Sequence, residues 1–469
     1  MKPGWWRGRG PVAVIVAVCL VVYVGHDLLR YVTFHAPAYD LGFFDQLTNN
    51  LSTGRGWTSS FVAYDFRGQH WEPILLVWAQ LYRLVASPIW LLVISGVALA
   101  LAPLAAWRLA RRWFGVGDPA AVIVALATAL SPLMLRTAGF DYHSEALTPL
   151  LVLVALDAAS RRRWLAVVVA CAILILLKED AFLVVAGIGW LIWRVEGRRG
   201  GLLLSAAAIA GFTLVVGVYM PGLRGGRPGD LLARYAYLGS GGHADTPTAV
   251  LVGMVSHPGI WLAQLVSAHA LEGLAVALLP LALLPLLSGS AILAVVPALA
   301  VALLSSDPLQ SALRLHYGAE VFPLLLACAL LGWRRAATWR WMHLTSHRRS
   351  IGVTAVAGVV VAALLTVDVA GRVHDVSGGS RVPVVQAVLD RVPAYAAVAA
   401  STGLVPHLSD RPLVTEFPDV RGAHWVVLDN QAPPSQRSLE AGYRATAQGL
   451  PRTFHVVAAG AGVVLWERS

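Results

Sequence analysis

The stretch Arg161–Arg199, RRRWLAVVVACAILILLKEDAFLVVAGIGWLIWRVEGRR, decides the fold. Two apolar runs, 164–177 and 181–194, flank Lys178-Glu179-Asp180, and arginine clusters close both ends. Apolar runs of this kind cross a bilayer as helices, because a helix satisfies its backbone polar groups without water. Arginine-rich ends stay in the cytoplasm. The stretch therefore reads as a hairpin of two spans whose turn lies on the outer face.

The same sorting of charge runs along the chain. Basic clusters recur at Lys2/Arg7/Arg9, Arg108/Arg111/Arg112, Arg161–Arg163, Arg194/Arg198/Arg199 and Arg334/Arg335/Arg340/Arg348/Arg349, accompanied by Asp118, Asp157 and Glu196. The intervening loops hold the reactive side chains instead. Of 469 residues, 57% are hydrophobic and 13% charged, and mean hydropathy is +0.66. A soluble chain has about a quarter of its residues charged. The net charge of +10 sits mostly in short inner loops, where it orients the protein and meets anionic lipid. That excludes a nucleic-acid binder. Cys19, Cys171 and Cys328 fall inside apolar runs and suggest neither a disulfide nor a thiolate metal site. The basic N-terminus followed by Pro11–Val24 resembles a signal peptide, but Gly25-His26-Asp27-Leu28 is a poor cleavage site. The segment is read as a retained signal anchor.

The expected fold is an α-helical polytopic membrane protein of about eleven spans, with a small C-terminal extracytoplasmic α/β domain. The spans run roughly 11–31, 88–108, 119–136, 146–160, 164–177, 181–194, 201–220, 271–287, 290–304, 319–333 and 351–368. Ser288-Gly289-Ser290 is then a short inner turn. The membrane domain covers 1–370, with outer loops at 32–87 and 221–270, and 371–469 form the outer domain. The N-terminus is cytoplasmic and the tail extracytoplasmic, in a cell membrane. Helices are expected at Val382–Val392 and Ser438–Gln448. Strands are expected at Ala396–Ala400, Leu413–Phe417, Trp425–Leu428, Phe454–Ala458 and Val463–Trp466.

The outer segments supply the candidate chemistry. Asp40 is placed in a turn and Asp45 on a short surface helix, Leu41–Leu51, that turns Leu41, Phe44, Leu47 and Leu51 to the lipid. A carboxylate there can accept a proton from a hydroxyl nucleophile; Asp40 is equally suited to N-cap that helix. His70 and Glu72 can hold a cation or a phosphate-linked headgroup, or simply pair with each other ahead of Pro73. Asp141 and Glu145 share a helix face at i, i+4, with His143 nearby. Such a set is chemically suited to a divalent cation (Mg or Mn), although its spacing matches no strong metal signature. Lys178, Glu179 and Asp180 either pair among themselves or let Lys178 hold a lipid phosphate. Arg224, Arg227, Arg234 and Arg314, with His316, put positive charge outside, where guanidinium forks suit phosphate oxygens or carboxylates opposite.

Seven stretches carry a resemblance: Tyr39–Gln46 (YDLGFFDQ), Gln69–Leu75 (QHWEPIL), Phe140–Glu145 (FDYHSE), Leu177–Asp180 (LKED), Gly403–Arg411 (GLVPHLSDR), Glu416–Asp419 (EFPD) and Trp425–Asp429 (WVVLD). In this order they resemble the membrane-protein family catalogued as domain of unknown function 2079, which is similar to the C-type glycosyltransferase (GT-C) superfamily. The resemblance implies many transmembrane helices, a long first outer loop with an essential acidic residue, and a polyprenyl-phosphate sugar donor. The acidic position after the first span maps onto Asp40, with Asp45 second; the loop has no adjacent acidic pair. The implied activity is inverting transfer of a hexosyl or pentosyl group to an envelope glycan, lipid or protein. Lys178 and the outer arginines would meet the leaving phosphate, and His70, Glu72, Asp141, His143 and Glu145 the sugar or a cation. The alternatives are a transporter or lipid flippase, or a non-catalytic membrane scaffold.

Overall fold

The computed structural model describes residues 9–227, 229–338, 379–432 and 440–469. The chain divides into two units, and two of the breaks between them fall inside helices α1 (Arg9–Val32) and α4 (Ile89–Trp113). The first unit draws on Met1–Tyr23, Arg67–Ile74 and Ser95–Asp368. The second draws on Val24–Phe66, Leu75–Ile94 and Val369–Ser469. The expected boundary at residue 370 separates the first outer loop from the tail; in the structure the larger part of that loop packs with the tail in one unit.

The first unit is helical. Beyond the ends of α1 and α4 it contains α5 (Asp118–Ala129), α6 (Pro132–Ala138), α7 (Thr148–Ser160), α8 (Trp164–Ile175), α9 (Ala181–Glu196) and α10 (Arg199–Leu214). A π turn and a further helical turn continue α10 to Leu223. Residues α11 (Pro247–Ser256), α12 (Pro258–Leu265), α13 (Ala268–Leu278), α14 (Val296–Leu303) and α15 (Phe322–Ala336) follow. Glycines let α9 and α10 approach closely. A Cβ on Gly201 would lie 2.4 Å from the Gly189 carbonyl oxygen, so any larger residue would push the helices apart.

Three described helices are long and apolar enough to cross a membrane: α1, α4 and Arg199–Leu223. Three bent pairs raise the number to at most six. The expected third span is α5 and α6, bent by 47° where Pro132 lacks the N–H that would continue the helix. The expected eighth and ninth spans are not two plain helices. From α13 the chain turns by 114° into a 3₁₀ segment, Leu284–Ala294. Ser288-Gly289-Ser290 lies inside that segment, with Gly289 at φ +63°, rather than forming a turn between two spans. Prolines 280, 285 and 297 break the backbone ladder there. The outer loop 221–270 also holds more structure than expected, since α11 and α12 form an apolar pair bent by 93°. The span expected at 351–368 lies outside the described residues.

The second unit is built on a five-stranded sheet in the order β2-β1-β3-β5-β4. Its strands are β1 (Val398–Ala400), β2 (Val414–Glu416), β3 (Trp425–Asp429), β4 (Phe454–Gly460) and β5 (Val463–Arg468). β1 pairs in parallel with β2 and β3, and β5 runs antiparallel to β3 and β4. The strands alternate in side-chain direction. Val398, Ala400 and Val427 join the α16 (Val382–Leu389) residues Val385, Val388 and Leu389 in one core. Ala399, Val426 and Leu428 face the other core, with Phe417, Leu450 and the partly buried Tyr443 of α17 (Glu440–Gly449). All five strands and both helices stand within a few residues of their expected positions.

Candidate functional site

The seven stretches sort into two groups, one in each unit. In the first unit, QHWEPIL, FDYHSE and LKED meet. Glu179 accepts from the Trp71 backbone N–H at 2.9 Å and bonds to His70 Nδ1 at 2.9 Å. The Ile74 N–H donates to the Leu176 carbonyl at 3.0 Å, and the Ser144 hydroxyl to the Leu177 carbonyl at 2.9 Å. Lys178 pairs with Glu145, not with its neighbours Glu179 and Asp180. His70 likewise bonds to Glu179, so the expected pairing with Glu72 is replaced. The turn between α8 and α9 buries Glu179 and Asp180.

Around Lys178 the charges are predominantly acidic. Glu72, Glu145, Glu179 and Asp180 are all buried. Burial, reinforced by Glu145, raises the Glu72 carboxyl well above its usual range. Among the described residues, its Oε2 has no hydrogen-bond partner. Burial and the adjacent Glu179 carboxylate raise Asp180. Burial also opposes the charge on Glu145, but Lys178 and His143 outweigh it and hold that carboxylate low. His143 and His316 stack with ring centroids 3.6 Å apart, and Phe140 stacks on both. Burial, with His143 and Lys178 beside it, keeps His316 well below the usual imidazole range. His316 Nε2 lies 3.7 Å from Glu145 Oε1.

Asp141 and Glu145 do not share a helix face. Residues 141–143 are irregular and Ser144–Leu147 is a 3₁₀ turn. The i, i+4 expectation fails because the helix begins only at Thr148, where Pro149 suits the first turn. Glu145 is engaged by Lys178 and His143 by the His316 ring. Among the described residues, no group of three or more His, Cys, Asp or Glu side chains is arranged to hold a metal ion. The trio Asp141, His143 and Glu145 does not fit a divalent cation in this arrangement.

Three of the outer arginines of this unit hydrogen-bond within it. Arg224 is buried and donates from Nε to the Gly68 carbonyl at 2.6 Å. Arg234 donates to Gln310 at 2.7 Å and to the Tyr317 hydroxyl at 3.1 Å, with Asp307 at 3.5 Å. Arg314 makes a two-pronged pair with Glu272 at 2.8 and 3.0 Å, and Arg136 also reaches Glu272 at 3.1 Å. Arg227 is exposed beside Gly225 and Gly226, both in the left-handed region. Glu272 and Gln310, the partners of Arg314 and Arg234, were not singled out by sequence.

In the second unit, YDLGFFDQ meets GLVPHLSDR. Asp45 accepts from the Tyr82 hydroxyl at 2.6 Å and the Ser409 hydroxyl at 2.5 Å. Gln46 donates to the Arg411 carbonyl at 3.2 Å, and Asn49 to the Asp410 carbonyl at 3.0 Å. The Ala38 N–H donates to Thr402 at 3.0 Å. At Gly42 the chains touch: a Cβ there would stand 2.8 Å from Val405 Cγ1. The helix expected at the lipid surface, Leu41–Leu51, is instead a π turn, Ala38–Gly42, followed by α2 (Phe43–Ser52). Its residues 43–50 are all buried, and Leu41, Phe44 and Leu47 pack in protein, not toward lipid. The tail meets the polar side of this segment, at Asp45, Gln46 and Asn49, while Phe44 packs against Phe66 of the first outer loop. Burial lifts the Asp45 carboxyl to about 7, against its two hydroxyl partners. Asp40 is half-buried in the π turn, and no side chain caps that turn or α2. The capping role is therefore not taken, and both Asp45 oxygens accept from hydroxyls.

The fold is shared with solved membrane glycosyltransferases. ArnT from Cupriavidus metallidurans in the apo state superimposes with a TM-score of 0.50 at 16% identity, covering 97% of each chain. A second ArnT structure, bound to undecaprenyl phosphate, gives 0.49 at 16% identity over 97% of this chain and 98% of that one. The arabinofuranosyltransferase AftD from Mycobacteria gives 0.51 at 16% identity, covering 98% of this chain and 41% of AftD. This chain is mostly helical with a small C-terminal sheet, and its fold is like that of these structures. No curated protein matches it in sequence. The family model described as a predicted membrane protein, DUF2079, matches residues 30–465, and the chain belongs to that family.

Proposed function

We propose that the chain is a membrane glycosyltransferase that moves a sugar from a polyprenyl-phosphate carrier to an acceptor on the outer face. The observation that carries this reading is the convergence of His70, Glu72, Glu145, Lys178, Glu179 and Asp180 at one end of the helices of a GT-C-like fold. The fold likeness to AftD supports the reaction class.

In this reading the carrier enters from the bilayer. Its phosphate is met by Arg227, exposed on its glycine turn, and by guanidinium N–H groups of Arg234 not used by Gln310 and Tyr317. Cations at that point stabilise the negative charge that develops as the glycosyl bond breaks. Asp40 takes the acceptor proton, and displacement at the anomeric carbon inverts it. The phosphate is already a competent leaving group, so the step needs no metal. The carboxylates around Lys178 hold sugar hydroxyls. A divalent cation remains outside this mechanism because the candidate trio does not fit one. The sugar, acceptor and extracytoplasmic position of the tail belong to the same proposal.

Transport is the second reading, because buried ionisable groups also line substrate paths. The charge distribution favours the enzyme. Neither 164–177 nor 181–193 holds a charged side chain, so α8 and α9 carry their charges at the ends. The test is donor binding. Saturating polyprenyl-phosphate sugar should raise the melting temperature of the detergent-solubilised chain. An unchanged melting temperature would count against the proposal.

A further inference from the structure

At the opposite ends of α8, α9 and α10 the helices leave a cavity of about 610 Å³. Val168, Ile192 and Leu204 give it an apolar wall, Trp164 stands at its mouth, and Arg198 and Arg199 line its rim. We propose that this cavity seats an anionic phospholipid of the cytoplasmic leaflet, its phosphate at the arginines and its acyl chain along the aliphatic helix surface.

The arginines on this face fall into two classes. Arg108, Arg112 and Arg161 surround the Asp157 carboxylate, and Arg111 pairs with Asp118 at 2.6 Å. Among the described residues, Arg198 and Arg199 make no ion pair. Yet Arg198 is positioned, with its guanidinium carbon 5.2 Å from the centre of the Trp164 ring. Glu196 also lines the cavity and makes no ion pair with either arginine, so the lining keeps net positive charge. Two arginines without a carboxylate partner are complementary to a phosphate.

The apolar wall says which phosphate. It continues onto side chains that face outward from the bundle, with Leu165 79%, Val168 61% and Leu203 72% exposed. In a membrane these meet acyl chains. A free phosphate ion gains nothing from such a wall, whereas a phospholipid uses both parts. Trp164 suits the headgroup level, where amphipathic rings gather. The site lies at the arginine-rich ends, and the proposed donor site at the Lys178 end, so its occupancy does not depend on the glycosyltransferase reading.

The experiment is lipid retention by the full purified chain, read by native mass spectrometry with phosphatidylglycerol and phosphatidylcholine at matched concentrations. The wild-type chain should retain phosphatidylglycerol preferentially. R198Q/R199Q should weaken that retention on the order of 30-fold, from the usual attraction per arginine near an anionic surface. E196Q should strengthen it, because a like charge leaves the cavity. R162Q/R334Q, which removes two exposed arginines from the same face, should leave it unchanged. Inorganic phosphate should not compete. Equal retention of the two lipids, an unchanged R198Q/R199Q or E196Q, an equal loss in R162Q/R334Q, or competition by phosphate would each overturn the proposal. The wild-type preference and E196Q keep the test decisive if R198Q/R199Q does not fold.

Discussion

The Ser409 hydroxyl donates to Asp45 at 2.5 Å across 364 residues of chain. With the Tyr82 hydroxyl at 2.6 Å on the other oxygen, it builds Asp45 into the junction of first outer loop and tail. Asp45→Ala should therefore act on stability. It removes two buried hydroxyl–carboxyl bonds and should cost about 2 kcal/mol, since a hydrogen bond between uncharged groups contributes about 0.5–1.5 kcal/mol. Chemical denaturation of the full chain checks this. A loss of transfer with undiminished stability would instead place Asp45 in the chemistry.

The same aspartate gives a pH dependence. Its carboxyl is lifted from an ordinary 3.8 to about 7, so between these values the folded chain holds a proton that the unfolded chain has released. That contribution is complete below about 4 and is lost as pH rises through 7. Asp45→Asn cannot titrate. Its denaturation midpoint should lack the decline over this window that the wild-type chain shows. Parallel profiles for the two proteins would contradict the assignment.

Lys178 and Glu145 form a buried pair. Lys178→Met leaves the Glu145 carboxylate without its cation, and breaking one side of such a pair costs about 3–5 kcal/mol. Adding Glu145→Gln should recover most of the loss, because the stranded charge goes with it. A double-mutant cycle measures the coupling. Additive effects would show that the pair is not a unit.

Much of this architecture was legible locally. The five strands and the helices α16 and α17 declared themselves by alternation and turn residues, because each is set by a few neighbouring side chains. The helices α8 and α9 were equally plain between their charged ends. The partners were not legible. Lys178 stands next to two carboxylates and pairs with a third, 33 residues away. The apolar face of α2 reads as lipid-facing, yet its residues are buried in protein, with Phe44 packed against Phe66. The broken eighth and ninth spans were signalled by prolines 280, 285 and 297, whose effect on direction depends on what packs around them. The hydroxyl partners of Asp45, Tyr82 and Ser409, lie 37 and 364 residues away and leave no local signal.

The most direct test of glycosyl transfer uses membranes containing the full chain, a polyprenyl-phosphate donor labelled in its sugar, and envelope acceptors. With the wild-type chain, label should leave the donor for an acceptor fraction. With Asp40→Asn it should stay on the lipid, while insertion and melting temperature are unchanged. Transfer by Asp40→Asn at the wild-type rate would remove Asp40 as base, and no transfer by the wild-type chain would contradict the glycosyltransferase reading itself.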